Sequence, residues 1–118
     1  MKIADKKNFK TTITLPEKLK IDIDRRVISD GYGFRGKSKW VSEAIEDFLG
    51  LENFIEYVEM EDLSNLDDRM SFSIDYLLET SISEAIISVR RIYPHLEGVK
   101  SKILRTALVQ RLVRGGAD

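Results

Sequence analysis

One order of segments occurs twice along this chain, and neither copy is long enough to fold by itself. Lys10-Thr11-Thr12-Ile13-Thr14-Leu15 alternates apolar and polar residues as a short strand does. Pro16 and Glu17 then open a helix in which Leu19, Ile23 and Val27 recur every fourth residue, ending near Gly31. A glycine-rich connection from Gly31 to Gly36 leads to a second helix, with Ser38 as its expected N-cap. Val41, Ala44, Ile45, Phe48 and Leu49 form its apolar stripe, which closes at Gly50.

The same order returns at Arg69. Residues Arg69 to Ile74 alternate, Asp75 stands where Pro16 stood, and a shift of 59 lays Leu78, Ile82 and Ile86 on Leu19, Ile23 and Val27. This helix is expected to stop before Pro94. A shift of 63 then lays Ser101-Lys102-Ile103-Leu104, Ala107, Leu108 and Leu112 over Ser38-Lys39-Trp40-Val41, Ala44, Ile45 and Leu49. The difference between the shifts assigns four extra residues to the second inter-helix loop. Repeats of this kind decide a fold before any other signal.

Each half supplies one strand and two helices. A lone strand leaves its backbone groups unpaired, and about 45 residues cannot bury a core. The economical solution pairs the two strands with each other. An antiparallel pair puts Ile13, Leu15, Phe72 and Ile74 against four helices and leaves Thr12, Thr14, Ser71 and Ser73 on an outer polar face. The fold expected is mainly α with a short two-stranded antiparallel ribbon (α+β). It forms one pseudo-twofold domain over residues 1–118, with repeats at 8–50 and 69–115 and an acidic connecting segment at 51–68.

That segment carries Leu51, Phe54, Ile55 and Val58 at helical spacing, and is read as a connecting helix on the four-helix layer, with Ser64 and Asn65 in the return loop. A partly disordered acidic linker and a dimer surface made by Leu51, Phe54 and Val58 are the competing readings. Charge follows the same division. The chain's net charge of -1 is the sum of +6 over residues 1–41, -10 over 42–68 and +3 over 69–118. Two basic segments separated by an acidic one can present a cationic and an anionic face, or merely a solvated surface.

The residues that carry these signals resemble the ribbon-helix-helix (MetJ/Arc/CopG) superfamily of DNA-binding proteins. Lys10-Thr11-Thr12-Ile13-Thr14-Leu15-Pro16-Glu17 with Gly36-Lys37-Ser38-Lys39-Trp40-Val41-Ser42-Glu43-Ala44-Ile45 is similar to that family's strand and second-helix signature. Arg69 to Asp75 with Lys100-Ser101-Lys102-Ile103-Leu104 is a second match that lacks the proline and the glycine directly before Lys-Ser. Together they cover about three-quarters of the chain. Two copies in one chain resemble the tandem pseudo-dimer arrangement of a conjugative relaxosome protein.

The resemblance implies that the ribbon enters the major groove and that its outward residues meet base edges. Those are Lys10, Thr12 and Thr14 with Arg69, Ser71 and Ser73. Lys and Arg donate to guanine O6 and N7, while hydroxyls donate or accept and the Thr methyl meets a thymine methyl. The resemblance also implies phosphate contacts at the start of each second helix, here Lys37, Ser38 and Lys39, and Lys100, Ser101 and Lys102. Lys2, Lys6 and Lys7 add either a basic arm or a solvated terminus.

Other chemistries find little support. Gly31-Tyr32-Gly33-Phe34-Arg35-Gly36-Lys37-Ser38 fits the phosphate-loop pattern of nucleotide hydrolases, yet it follows an amphipathic helix where such a loop must leave a strand. The chain has no cysteine and a single histidine, His95, so no disulfide, thiolate site or paired-histidine metal site is expected. Glu59, Glu61, Asp67 and Asp68 lie in the linker without an evident pocket for acid/base work. Trp40, at the start of its helix, could touch the groove wall, but its match to Ile103 in the second copy favours core. No run approaches the roughly 20 apolar residues of a membrane span, which points to a cytoplasmic location.

The function expected from sequence is therefore that of a double-stranded DNA-binding protein without cofactor, metal or catalysis, most simply a transcriptional repressor. An accessory role in conjugative transfer or partition, and an antitoxin-like protein whose acidic 42–68 segment covers a protein partner, are the alternatives. Self-association along DNA is a further partner interaction considered.

Overall fold

The computed structural model describes residues 8–114; the Lys2, Lys6 and Lys7 arm lies outside them. Their order is β1 (Asn8–Leu15), α1 (Glu17–Ser29), α2 (Lys37–Leu49), α3 (Phe54–Met60), β2 (Asp68–Asp75), α4 (Tyr76–Ile92) and α5 (Val99–Arg114), with a 3₁₀ turn over Phe34–Gly36. Helices account for 64% and the two strands form one antiparallel sheet, so the fold is α+β.

Strand β1 pairs with β2 from Asn8 opposite Asp75 to Leu15 opposite Asp68. Alternation sends Ile13 and Leu15 inward with Met70, Phe72 and Ile74, all nearly inaccessible to solvent. Met70 joins the four residues read from sequence because it lies directly opposite Ile13. Both strands pass into helices without a loop, by different means. Pro16, with φ -65°, presets the entry to α1, whereas the Asp75 carboxylate accepts from the Leu78 amide at 2.8 Å and caps α4.

Helix α1 ends in a Schellman turn. The Tyr32 amide donates to the Val27 carbonyl at 3.0 Å and the Gly31 amide to Ile28 at 2.9 Å, with Gly31 at φ 90°. Helix α2 does not start as expected. Its cap is Gly36, reached through the 3₁₀ turn, and Ser38 lies inside the first turn without capping it. The four extra residues of the second half are also placed differently. They lengthen α4 to 17 residues against 13 in α1, adding one turn of helix in place of a longer loop.

Helices α2 and α5 pack together through the centre of the molecule. Trp40, Val41, Ile45 and Phe48 from one meet Ile103, Leu104, Ala107 and Leu108 from the other in a single core that the sheet closes from one side. In α4 the buried stripe is Leu78, Ile82, Ala85 and Val89, with Ile86 only partly covered. Helix α3 has just seven residues, but it belongs to this core. Val58 is fully buried, and Phe54 and Tyr57 lie 5.9 and 6.4 Å from the Phe48 ring. Val58 is thus a core residue, with Leu51 and Phe54 partly buried against the same core. Among the described residues no helix is long and apolar enough to cross a membrane.

Candidate nucleic-acid interface

The outer face of the sheet is built from three cross-strand pairs: Lys10 with Ser73, Thr12 with Ser71, and Thr14 with Arg69. These are the six base-edge candidates, of which alternation alone places Thr12, Thr14, Ser71 and Ser73 outward and the strand motif adds Lys10 and Arg69. At the centre the Thr12 and Ser71 hydroxyls lie 2.7 Å apart and are hydrogen-bonded. Lys10, Thr12, Arg69 and Ser73 are exposed, while Thr14 and Ser71 are half-buried. Lys10 and Arg69 sit four positions apart along the ribbon, roughly 13 Å at the rise of a strand. The face therefore carries a cation near each end and hydroxyls between. Asn8, exposed and opposite Asp75, extends the same row. Sequence reading missed it by starting the strand at Lys10, although the alternation continues through it.

The two edges of the ribbon are held by unlike groups. On the β2 edge the Ser73 amide donates to Ser38 Oγ at 2.9 Å. Ser38 therefore fixes α2 beside the ribbon and has its hydroxyl engaged by the strand. On the β1 edge Arg105 Nη1 donates to the Thr14 carbonyl at 3.1 Å. Arg105 is 6% exposed and gives its Nε to Glu61 Oε2, also at 3.1 Å.

Glu61 receives a second cation. Lys102 Nζ lies 3.0 Å from the Glu61 carbonyl oxygen and 3.1 Å from Oε1. Burial by itself would raise the Glu61 pKa, but the hydrogen bonds and charges of Arg105 and Lys102 outweigh it and hold the carboxyl below its ordinary range. The consequence for the sequence candidates is direct: Lys102 is turned inward onto the connecting segment. Lys100 meets Glu79 at 3.6 Å, and Ser101 is half-buried beside it. Lys37 and Lys39 differ, since neither pairs with a carboxylate among the described residues.

A second polar network anchors the turn before α2. Tyr32 donates its hydroxyl hydrogen to Glu43, and Arg111 reaches the Tyr32 oxygen at 3.1 Å and the Trp40 carbonyl at 3.0 Å. The Arg111 guanidinium also lies 4.8 Å from the Trp40 ring centroid. Trp40 is fully buried and donates its indole N–H to Asp30 Oδ2 at 2.8 Å. Trp40 is thus core, as its repeat partner suggested. Arg111 and Asp30 lie 71 and 10 residues from Trp40 in the chain, the former a spacing that no local pattern reveals.

The run from Gly31 to Ser38 joins helix α1 to helix α2 and leaves no strand. His95 lies exposed in the loop before α5, and among the described residues no three metal-ligating side chains cluster. No protein-family model, curated protein or solved structure matches the chain.

Proposed function

We propose that this chain is a tandem ribbon-helix-helix protein, a single-chain pseudo-dimer that binds duplex DNA by inserting β1 and β2 into the major groove. One observation carries the reading. The six polar residues of the two strand motifs lie on one outer face of a two-stranded antiparallel ribbon, in three cross-strand pairs, with the apolar residues packed behind them. A two-stranded ribbon fits the major groove in width, and a face of Lys, Thr, Ser and Arg offers donors and acceptors to base edges. Lys37 and Lys39 at the start of α2, which form no ion pair among the described residues, then add contacts to phosphate that position the protein without reading sequence.

Lys10 and Arg69, roughly 13 Å apart, would meet positions about four base pairs apart at 3.4 Å per step. The role we favour is repression by occupying a promoter, in the cytoplasm and without cofactor or catalysis. Accessory binding at a transfer or partition origin uses the same chemistry. A protein partner for the acidic segment is a separate reading, supported by Met60, 69% exposed beside the exposed Glu56, Glu59 and Asp62.

The test is recovery and sequencing of genomic fragments retained by the purified protein at physiological salt. Enriched promoters support repression, and a single enriched origin supports the accessory role. Failure to enrich any fragment, at any salt, rejects the DNA reading and leaves the acidic segment as the surface to test against protein partners.

A further inference from the structure

The two turns that lead into α2 and α5 are chemically unlike. The first carries Phe34, 91% exposed, followed by Arg35 and Lys37. Isolated exposed apolar residues are common on protein surfaces, so exposure alone says little. Here the backbone of the turn is also constrained. Gly33 has φ 77° and ψ 177°, a conformation nearly confined to glycine, and a Cβ on Gly36 would stand 2.6 Å from Tyr32 Cβ. Tyr32 in turn is fixed by Glu43 and Arg111. Ile28, half exposed, lies alongside Phe34 and Lys37.

Among the described residues, Arg35, Lys37 and Lys39 form no ion pair. The turn runs directly into Ser38, whose hydroxyl holds the Ser73 amide, so it adjoins the ribbon where Ser73 faces Lys10. The corresponding turn of the second half reads Tyr93-Pro94-His95-Leu96-Glu97-Gly98. It contains a carboxylate and no lysine or arginine, Leu96 is partly covered, and the following Lys100 and Lys102 are paired with Glu79 and Glu61.

We infer that Phe34, Arg35 and Lys37 form a contact to the sugar-phosphate backbone on one flank of bound duplex DNA, and that the second half lacks its counterpart. The inference rests on the DNA-binding reading above. A duplex backbone alternates apolar deoxyribose faces with phosphates, and an exposed ring followed in the chain by two cations offers partners for both. The protein consequently lies on its site in a fixed direction, anchored more firmly at the α2 end.

The experiment uses a duplex recovered from a random-sequence library by the full-length protein, followed by phosphate-ethylation interference and titrations of Phe34→Ala, Lys37→Ala and His95→Ala. Phe34→Ala should weaken binding about tenfold with an unchanged salt dependence, because the lost contact is apolar. Lys37→Ala should lower the salt slope by about one, and His95→Ala should bind as the parent does. Interfering phosphates beyond the ribbon should fall on one flank. Parent-like binding by Phe34→Ala, or equal interference on both flanks, overturns the inference while leaving DNA binding intact. Retention of no duplex by the parent overturns the DNA reading itself. If Phe34→Ala keeps full DNA affinity but loses self-association or adhesion to anionic vesicles, the ring serves another surface and the inference fails. The side chain stands in solvent, so circular dichroism should show the variant folded.

Discussion

Glu61 illustrates how one side chain can organise a surface without touching the face it supports. Its carboxylate gathers Lys102 and Arg105, and Arg105 passes the constraint on to the Thr14 carbonyl. Removing one member of a buried charge cluster leaves the others uncompensated, so Glu61→Gln should lose about 3 kcal/mol of stability at neutral pH in urea melts. The folded pKa of Glu61 is depressed, so its stabilisation is present above the unfolded value near 4.3 and is lost as pH falls through the lower folded value. The gap between the parent and Glu61→Gln should therefore narrow as pH falls below about 4.3. A gap that fails to narrow as the solution is acidified would contradict this assignment. On the ribbon, the proposed function predicts that Lys10→Ala and Arg69→Ala relax base preference at different positions, by about 1–3 kcal/mol each, in binding-site selection. Lys39→Ala should weaken all sequences alike. Alternation made Thr12, Thr14, Ser71 and Ser73 legible as outward residues, because period two is a local rule, while Lys10 and Arg69 were legible only through the strand motif. The Glu61 cluster joins residues 41 and 44 apart, and nothing in the spacing of Lys and Glu announces it.

At the level of elements, the existence and kind of the strands and main helices followed from apolar period and from Pro16, Asp75 and the glycines. Their joints did not. Ser38 has the composition of a cap, but its hydroxyl is used by the amide of a strand 35 residues away, and Gly36 takes the capping position. The four-residue difference between halves was compatible with a longer loop or a longer helix. Since four residues add about one turn, α4 can extend and keep its face toward the core, with Val89 buried in the added length. The turn before α2 offers a sharp test. Gly33→Ala and Gly36→Ala should each destabilise by about 1–3 kcal/mol, the first through backbone strain and the second through collision with an anchored tyrosine. Asp75→Ala should cost about 1 kcal/mol as a lost helix cap, measurable by denaturant titration.

For the molecule as a whole, both strands of the sheet come from one chain and share one core with all five helices. Unfolding followed by the buried Trp40 and by far-ultraviolet dichroism should coincide, and its midpoint should not move with protein concentration. A midpoint that rises with concentration would mean that a second copy completes the fold. The same pairing has a consequence during synthesis. Thr12 and Ser71, which meet at the middle of the sheet, are separated by 59 residues. A ribosome adding roughly 5–20 residues per second makes β1 about 3–12 s before its partner exists. During that interval the nascent strand displays an unpaired edge with Phe9, Ile13 and Leu15 along one side, an invitation to pair with a neighbouring chain. Lys10, Thr12 and Thr14 give the other side of that strand a polar, partly charged surface, so the side chains that later face outward also limit how readily the newborn strand is captured.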